Sequence, residues 1–240
     1  MKTKTTLLTI FVCPILIYGQ IWDYPVKPGT EEWKKFNSID DMYLSCQIPD
    51  SILYRLSTKD LVDICLNFPA LPQFPFFNTP QECFMSYYNN FNGIRELFNR
   101  KNAGQYLLKK YTQVSSADYN PQWPLYKQGK FISYYKFVES VLAQTQIIQL
   151  MSPEERKLLM KEAVHKMEEK LTNSSLFSDY NVEINLWAMA KLLSSDNKLF
   201  VSSKEAKDMQ SFLDSGLPVN IDIKTIYEQA KKYAYEDNNK

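Results

Sequence analysis

The chain has 240 residues, 45% of them hydrophobic and 23% charged, with 28 Lys and Arg against 27 Asp and Glu for a formal net charge of +1. That balance supports a sizeable globular core and excludes the basic field that would attract nucleic acid. Only 6 glycines stand against 16 tyrosines and 14 phenylalanines, which argues against a fold of tight hairpins and for ring-packed helices.

Lys2 and Lys4 precede an apolar run from Leu7 to Ile17, closed by Tyr18-Gly19-Gln20. This pattern predicts a cleavable signal peptide over residues 1–19, and hence a secreted or periplasmic protein. The run is shorter than the roughly 20 apolar residues of a bilayer span, so no transmembrane segment is expected in the mature chain. Cys13 follows bulky Phe11 and Val12, which argues against a lipidated cysteine.

Pro25, Pro28 and Gly29 mark an extended lead-in. Thr30 is expected to cap a first helix that turns Trp33 and Phe36 inward, and Ser38 a second with Ile39, Met42, Tyr43 and Cys46 on one face. The stretch from Cys46 to Cys65 reads as a helical hairpin. Pro49 suits the first turn of one helix, and Ser57 with Asp60 predicts a capping box opening the next, whose Leu61, Ile64, Cys65 and Phe68 share a face. Prolines then impose an extended connector from Phe68 to Phe77. Thr79-Pro80-Gln81-Glu82 opens a further helix through Cys83, Phe84 and Tyr87, and Asn92-Gly93 predicts a turn before the helices of Ile94, Leu97, Phe98, Leu107 and Tyr111.

Residues 113–130 break the helical period and read as a connecting loop between an N-terminal helical lobe, 20–112, and a C-terminal one, 131–240; one continuous domain is the alternative. Phe131, Tyr134, Tyr135, Val138, Val141, Leu142, Thr145 and Ile148 predict one long amphipathic helix. Ser152-Pro153-Glu154-Glu155 is the strongest helix start in the chain, and helices carrying Trp187, Phe212 and Ile226 complete it, with a frayed end over 236–240. No stretch alternates with period two. The expected fold is all-α, an irregular α-superhelix or a multi-helix bundle of short capped hairpins.

Tyr24-Pro-Val-Lys-Pro-Gly-Thr-Glu-Glu-Trp33, Cys46-Gln-Ile-Pro49, Leu56-Ser-Thr58 and Cys65-Leu-Asn-Phe-Pro69 cover roughly the first half of the mature chain. In these segments it resembles an uncharacterised family of secreted helical proteins from gut bacteria. The resemblance implies export and a helical fold, and it brings no activity and no site residues with it.

No specific catalytic, metal or cofactor motif is present. Glu162-Ala-Val-His165 has the spacing of a di-iron half-site, but such sites need two copies and His165 is the only histidine, so a helix-surface histidine paired with Glu162 or Glu169 is the simpler reading. Cys46 and Cys65 are the candidate disulfide; the competing reading makes these two and Cys83 small buried hydrophobes on apolar faces. Tyr119, Trp123 and Tyr126, held among prolines, could present an aromatic platform to a partner chain or a glycan, or could pin their own loop to the core. The function expected is therefore that of a secreted or periplasmic interaction protein binding a protein or glycan. The alternative is an all-α carbohydrate hydrolase working through a carboxylate pair.

Overall fold

The computed structural model of this protein describes residues 22–69 and 77–236. The expected signal peptide, most of the proline-bound connector and the last four residues lie outside the described residues. Among these the chain is all-α: twelve α-helices, two 3₁₀ turns and no strand, assembled as a multi-helix bundle.

The start signals work as backbone chemistry requires. Ser38 opens α1 (Ile39–Ser45) with a complete capping box to Asp41. Thr79 accepts from the Glu82 N–H to open α4 (Pro80–Asn90), and Ser152 opens α9 (Pro153–Thr172) with a complete box to Glu155. Each cap satisfies an N–H that the first turn leaves without a partner. At α3 (Thr58–Leu66) only half the predicted box forms: the Ser57 hydroxyl accepts from the Asp60 N–H at 3.1 Å and lies 2.7 Å from the Asp60 carboxylate, which therefore does not turn back to the Ser57 N–H.

Four expectations are corrected. The helix after Thr30 is a single 3₁₀ turn, Trp33–Lys35, and Trp33 and Phe36 pack edge to face on each other, 5.4 Å apart and only half-buried. Pro49 sits one residue earlier than predicted, as the N-cap of the one-turn helix α2 (Asp50–Leu53). Asn92-Gly93 is no turn but the start of α5 (Asn92–Phe98), and Gly93 is needed for close approach, since a Cβ there would lie 2.5 Å from the Phe91 ring. The long helix begins six residues before Phe131, at Leu125, and ends early: α7 (Leu125–Leu142) and α8 (Thr145–Gln149) are separate. Gln144 makes the break with an extended backbone (ψ 125°), and its buried amide donates to the Ser140 carbonyl and to Gln81.

The other helices are α6 (Ala103–Gln113), α10 (Asp179–Ser195), α11 (Ala206–Ser215) and α12 (Ile223–Tyr235). α10 is the central one, packed against α7, α8, α9, α11 and α12, while α6 touches α3, α7, α8 and α9. One continuous cluster of buried apolar side chains runs from Tyr24 to Ala234 through both halves of the chain. Trp187 of α10 is fully buried and donates its indole N–H to the Leu213 carbonyl at 2.9 Å. Gly216, in the left-handed region (φ 83°), ends α11 where a Cβ would crowd Pro80 and Trp187 at about 3 Å.

Ser152→Ala is expected to lower stability by about 1 kcal/mol, because the Glu155 N–H loses the hydroxyl that accepts from it, while the bond from the backbone N–H of residue 152 to the Glu155 carboxylate is kept. Urea melts would read it, and an unchanged midpoint would mean that α9 does not depend on this cap. Burial also holds the phenols of Tyr24 and Tyr111 well above the ordinary tyrosine range and pushes those of Tyr43 and Tyr134 up to about 12. A folded pKa raised above the unfolded value contributes stability that is present below pH ~10 and lost as pH rises past it, by about 1.4 kcal/mol per pH unit for each such tyrosine. Urea midpoints are therefore expected to fall steeply between pH 10 and 11, and a flat profile would mean that these phenols ionise in the native state.

Candidate functional site

A sealed ionic cluster in the core and an open pair of clefts around the N-terminal half of α7 each bring polar and aromatic side chains together. In the first, Lys170 Nζ donates to both oxygens of Glu139, at 2.6 and 2.5 Å, and to the Asn181 carbonyl at 3.0 Å. The Tyr111 hydroxyl and the Asn185 amide also donate to Glu139 Oε1, at 2.8 and 2.9 Å. Desolvation lowers the Lys170 pKa, and the Glu139 carboxylate opposes that shift. The space beside Glu139 and Tyr111 is too small to admit a water molecule, so this cluster is walled off from any substrate.

The second place begins with the segment before α7. Ser115 and Asp118 form a capping box around the 3₁₀ turn Ser116–Asp118, and Glu169 of α9 accepts from the Ser115 hydroxyl and the Ser116 N–H. The Gln122 N–H donates to the Asn120 side chain, the Tyr119 hydroxyl donates to Gln128, and the Gln128 amide donates to the carbonyls of Trp123 and Pro121. Tyr119 and Trp123 pack on each other at 6.0 Å and on Phe131 at 5.7 and 5.8 Å. Phe131 passes the contact to Tyr135, and Tyr135 to Phe177.

The predicted three-ring platform is therefore split. Tyr119 and Trp123 are half-buried and tie the segment down, whereas Tyr126, the second residue of α7, is 77% exposed and borders a different cleft. The expected loop 113–130 ends at Pro124, which serves as the N-cap of α7.

Tyr126 overlooks a cleft of about 780 Å³ whose walls include Trp22, Tyr24 and Phe68. Trp22 and Tyr24 meet edge to face at 4.7 Å, and the buried Tyr24 hydroxyl donates to the Ile64 carbonyl at 2.8 Å. Across α7 lies a second cleft, of about 590 Å³, faced by Trp123, Phe131 and Tyr134. Asp63 on the first and Lys110 on the second are joined in an ion pair, and Lys130 borders both. Asp23, at the rim of the first, is hydrogen-bonded to Lys27, which lowers its pKa. Lys127 lies 4.5 Å above the Trp123 ring.

The remaining candidates are placed elsewhere. Cys46, Cys65 and Cys83 are all buried and all free, so the Cys46–Cys65 bridge is not formed; burial pushes the Cys46 thiol up to about 11 and Cys65 and Cys83 higher still. His165 is 57% exposed and lies 3.4 Å from Glu169, while Glu162 pairs with Lys166 instead. Among the described residues no group of three or more His, Cys, Asp or Glu side chains could hold a metal ion, and no helix is long and apolar enough to cross a membrane.

The residues that sequence reasoning missed are Trp22, Asp23 and Tyr24 and, on α3 and α7, Asp63 and Lys130. A signal was present in the first three, two rings ahead of Pro25 and Pro28, but only tertiary packing shows that they wall a cleft. No known protein family, curated protein or solved structure matches the chain.

Glu139→Ala is expected to destabilise by about 3–5 kcal/mol, because it strands a buried ammonium, whereas Glu139→Leu combined with Lys170→Leu should recover most of that loss. Denaturant midpoints of the two variants distinguish this from a catalytic role, which would leave the single variant near wild-type stability.

Proposed function

We propose that this is an exported interaction protein, secreted or periplasmic, that binds a partner protein through the aromatic cleft of Trp22, Tyr24, Phe68 and Tyr126. Export is supported by the charged start and short apolar run at the N-terminus. One observation carries the binding reading: the exposed Tyr126 ring and the half-buried Trp22 ring border a cleft in which most of the charged side chains, Lys130 apart, are committed to other partners. The Tyr24 hydroxyl is bonded to Ile64, the Asp23 carboxylate to Lys27, and Asp63 to Lys110. A glycan requires many hydrogen bonds to its hydroxyls, and such a wall has few to offer. An aliphatic or aromatic side chain on a protein segment requires mainly apolar contact, which rigid exposed rings give at small cost in conformational entropy. A volume of about 780 Å³ is ample for one or two anchoring side chains.

A hydrolase using two carboxylates is less well supported. A general acid must hold its proton, which requires a raised pKa, yet the hydrogen bond from Lys27 lowers that of Asp23. The best-buried carboxylate, Glu139, has no access to solvent.

Tyr126→Ala should leave stability within about 0.5 kcal/mol of wild type, since the ring is exposed, while removing retention of peptides bearing an aromatic or aliphatic anchor on a peptide array. Parallel glycan and peptide arrays decide the partner class. Binding to glycans alone, or peptide binding unchanged by Tyr126→Ala, would overturn the reading.

A further inference from the structure

Around α7 the cations and anions do not cancel. Four lysines, Lys27, Lys110, Lys127 and Lys130, border the two clefts together with three aspartates, Asp23, Asp63 and Asp118. Lys27 is paired with Asp23 and Lys110 with Asp63, and the Asp118 carboxylate accepts from the Ser115 N–H. Lys127 is held over the Trp123 ring. Lys130 makes no ion pair and no hydrogen bond among the described residues, although its charge helps to lower the Asp23 pKa across the cleft. It is exposed, lies one turn after Tyr126 on α7, and borders both clefts. Residues four apart share a helix face, so the free ammonium and the exposed ring address the same occupant.

Resting on the reading of the aromatic cleft as a protein-binding site, we infer that its occupant is an acidic protein segment, an apolar side chain set in the cleft with a neighbouring carboxylate paired to Lys130. The chemistry is complementary on both counts. The apolar anchor covers the Tyr126 and Trp22 rings, and the carboxylate meets Lys130, which makes no ion pair among the described residues. A basic segment would bring a like charge against Lys130 and Lys127, and a neutral one would leave Lys130 without an ion-pair partner among the described residues.

The test uses the full chain and an array of twelve-residue peptides, each with one Phe or Trp and with Glu, Gln or Lys placed at the other positions in turn. Retention is expected in the order Glu, Gln, Lys, with Glu ahead of Gln by about three-fold, the scale of an exposed ion pair, and with the difference shrinking at high salt. Lys130→Gln should abolish the Glu preference while keeping retention of the Gln peptides. Lys207→Gln, which removes the same charge from α11, should leave the preference intact. Equal retention of Glu and Gln peptides, or equal loss in both variants, would overturn the inference and leave the aromatic cleft standing. Retention of no peptide at all would overturn both.

Discussion

The structure depends on one buried ion pair. Glu139 on α7 and Lys170 on α9 face each other with essentially no solvent exposure, and Tyr111 of α6 and the Asn181 carbonyl and Asn185 amide of α10 complete their hydrogen bonds. Removing two charges from water is expensive, and the geometry must repay it, which it does only when four helices take one mutual register. The arrangement is not fully satisfied. The Asn181 side-chain amide, Asn185 Oδ1 and the Tyr135 hydroxyl are buried without hydrogen-bond partners, and each such group opposes folding. The cluster therefore acts less as a source of stability than as a constraint on which packing is allowed.

That constraint gives α7 two different halves. From Tyr135 to Leu142 every residue but Lys136 is buried, whereas from Leu125 to Lys130 only Gln128 is even partly covered. The buried half is held by the ion pair and by Phe137, Val138 and Val141 in the core. The outer half continues the same helix, so the direction in which Leu125 and Tyr126 are exposed follows from the anchored half. A cleft needs such a wall, because a surface that reorders on contact loses affinity to the entropy of ordering.

The segment before α7 serves the same end by another route. Tyr119 and Trp123 spend their rings on Phe131, and Gln128 spends its amide on two backbone carbonyls. Glu169 gathers Ser115, Ser116 and His165 at the far end. The three rings divide by residue: Tyr119 and Trp123 pin the segment through Phe131, and Tyr126 is exposed.

Local chemistry was enough to read much of this protein from its sequence. Ser38, Thr79 and Ser152 cap helices because a side-chain oxygen three residues before a free N–H is a local event, and the apolar face of Leu61, Ile64 and Cys65 follows from helical period alone. The all-α class follows from the same period and the scarcity of glycine. What the tertiary structure decided depends on contacts between residues far apart in the chain. Nothing in the local sequence pairs Glu139 with Lys170; four helices bring them together. Gly93 reads as a turn until Phe91 and Ile48 occupy the space of its missing Cβ. The break at Gln144 interrupts an apolar stripe that continues unbroken in sequence, and Trp22, Asp63 and Lys130 meet around one cleft only because α3, α7 and the N-terminal lead-in pack side by side.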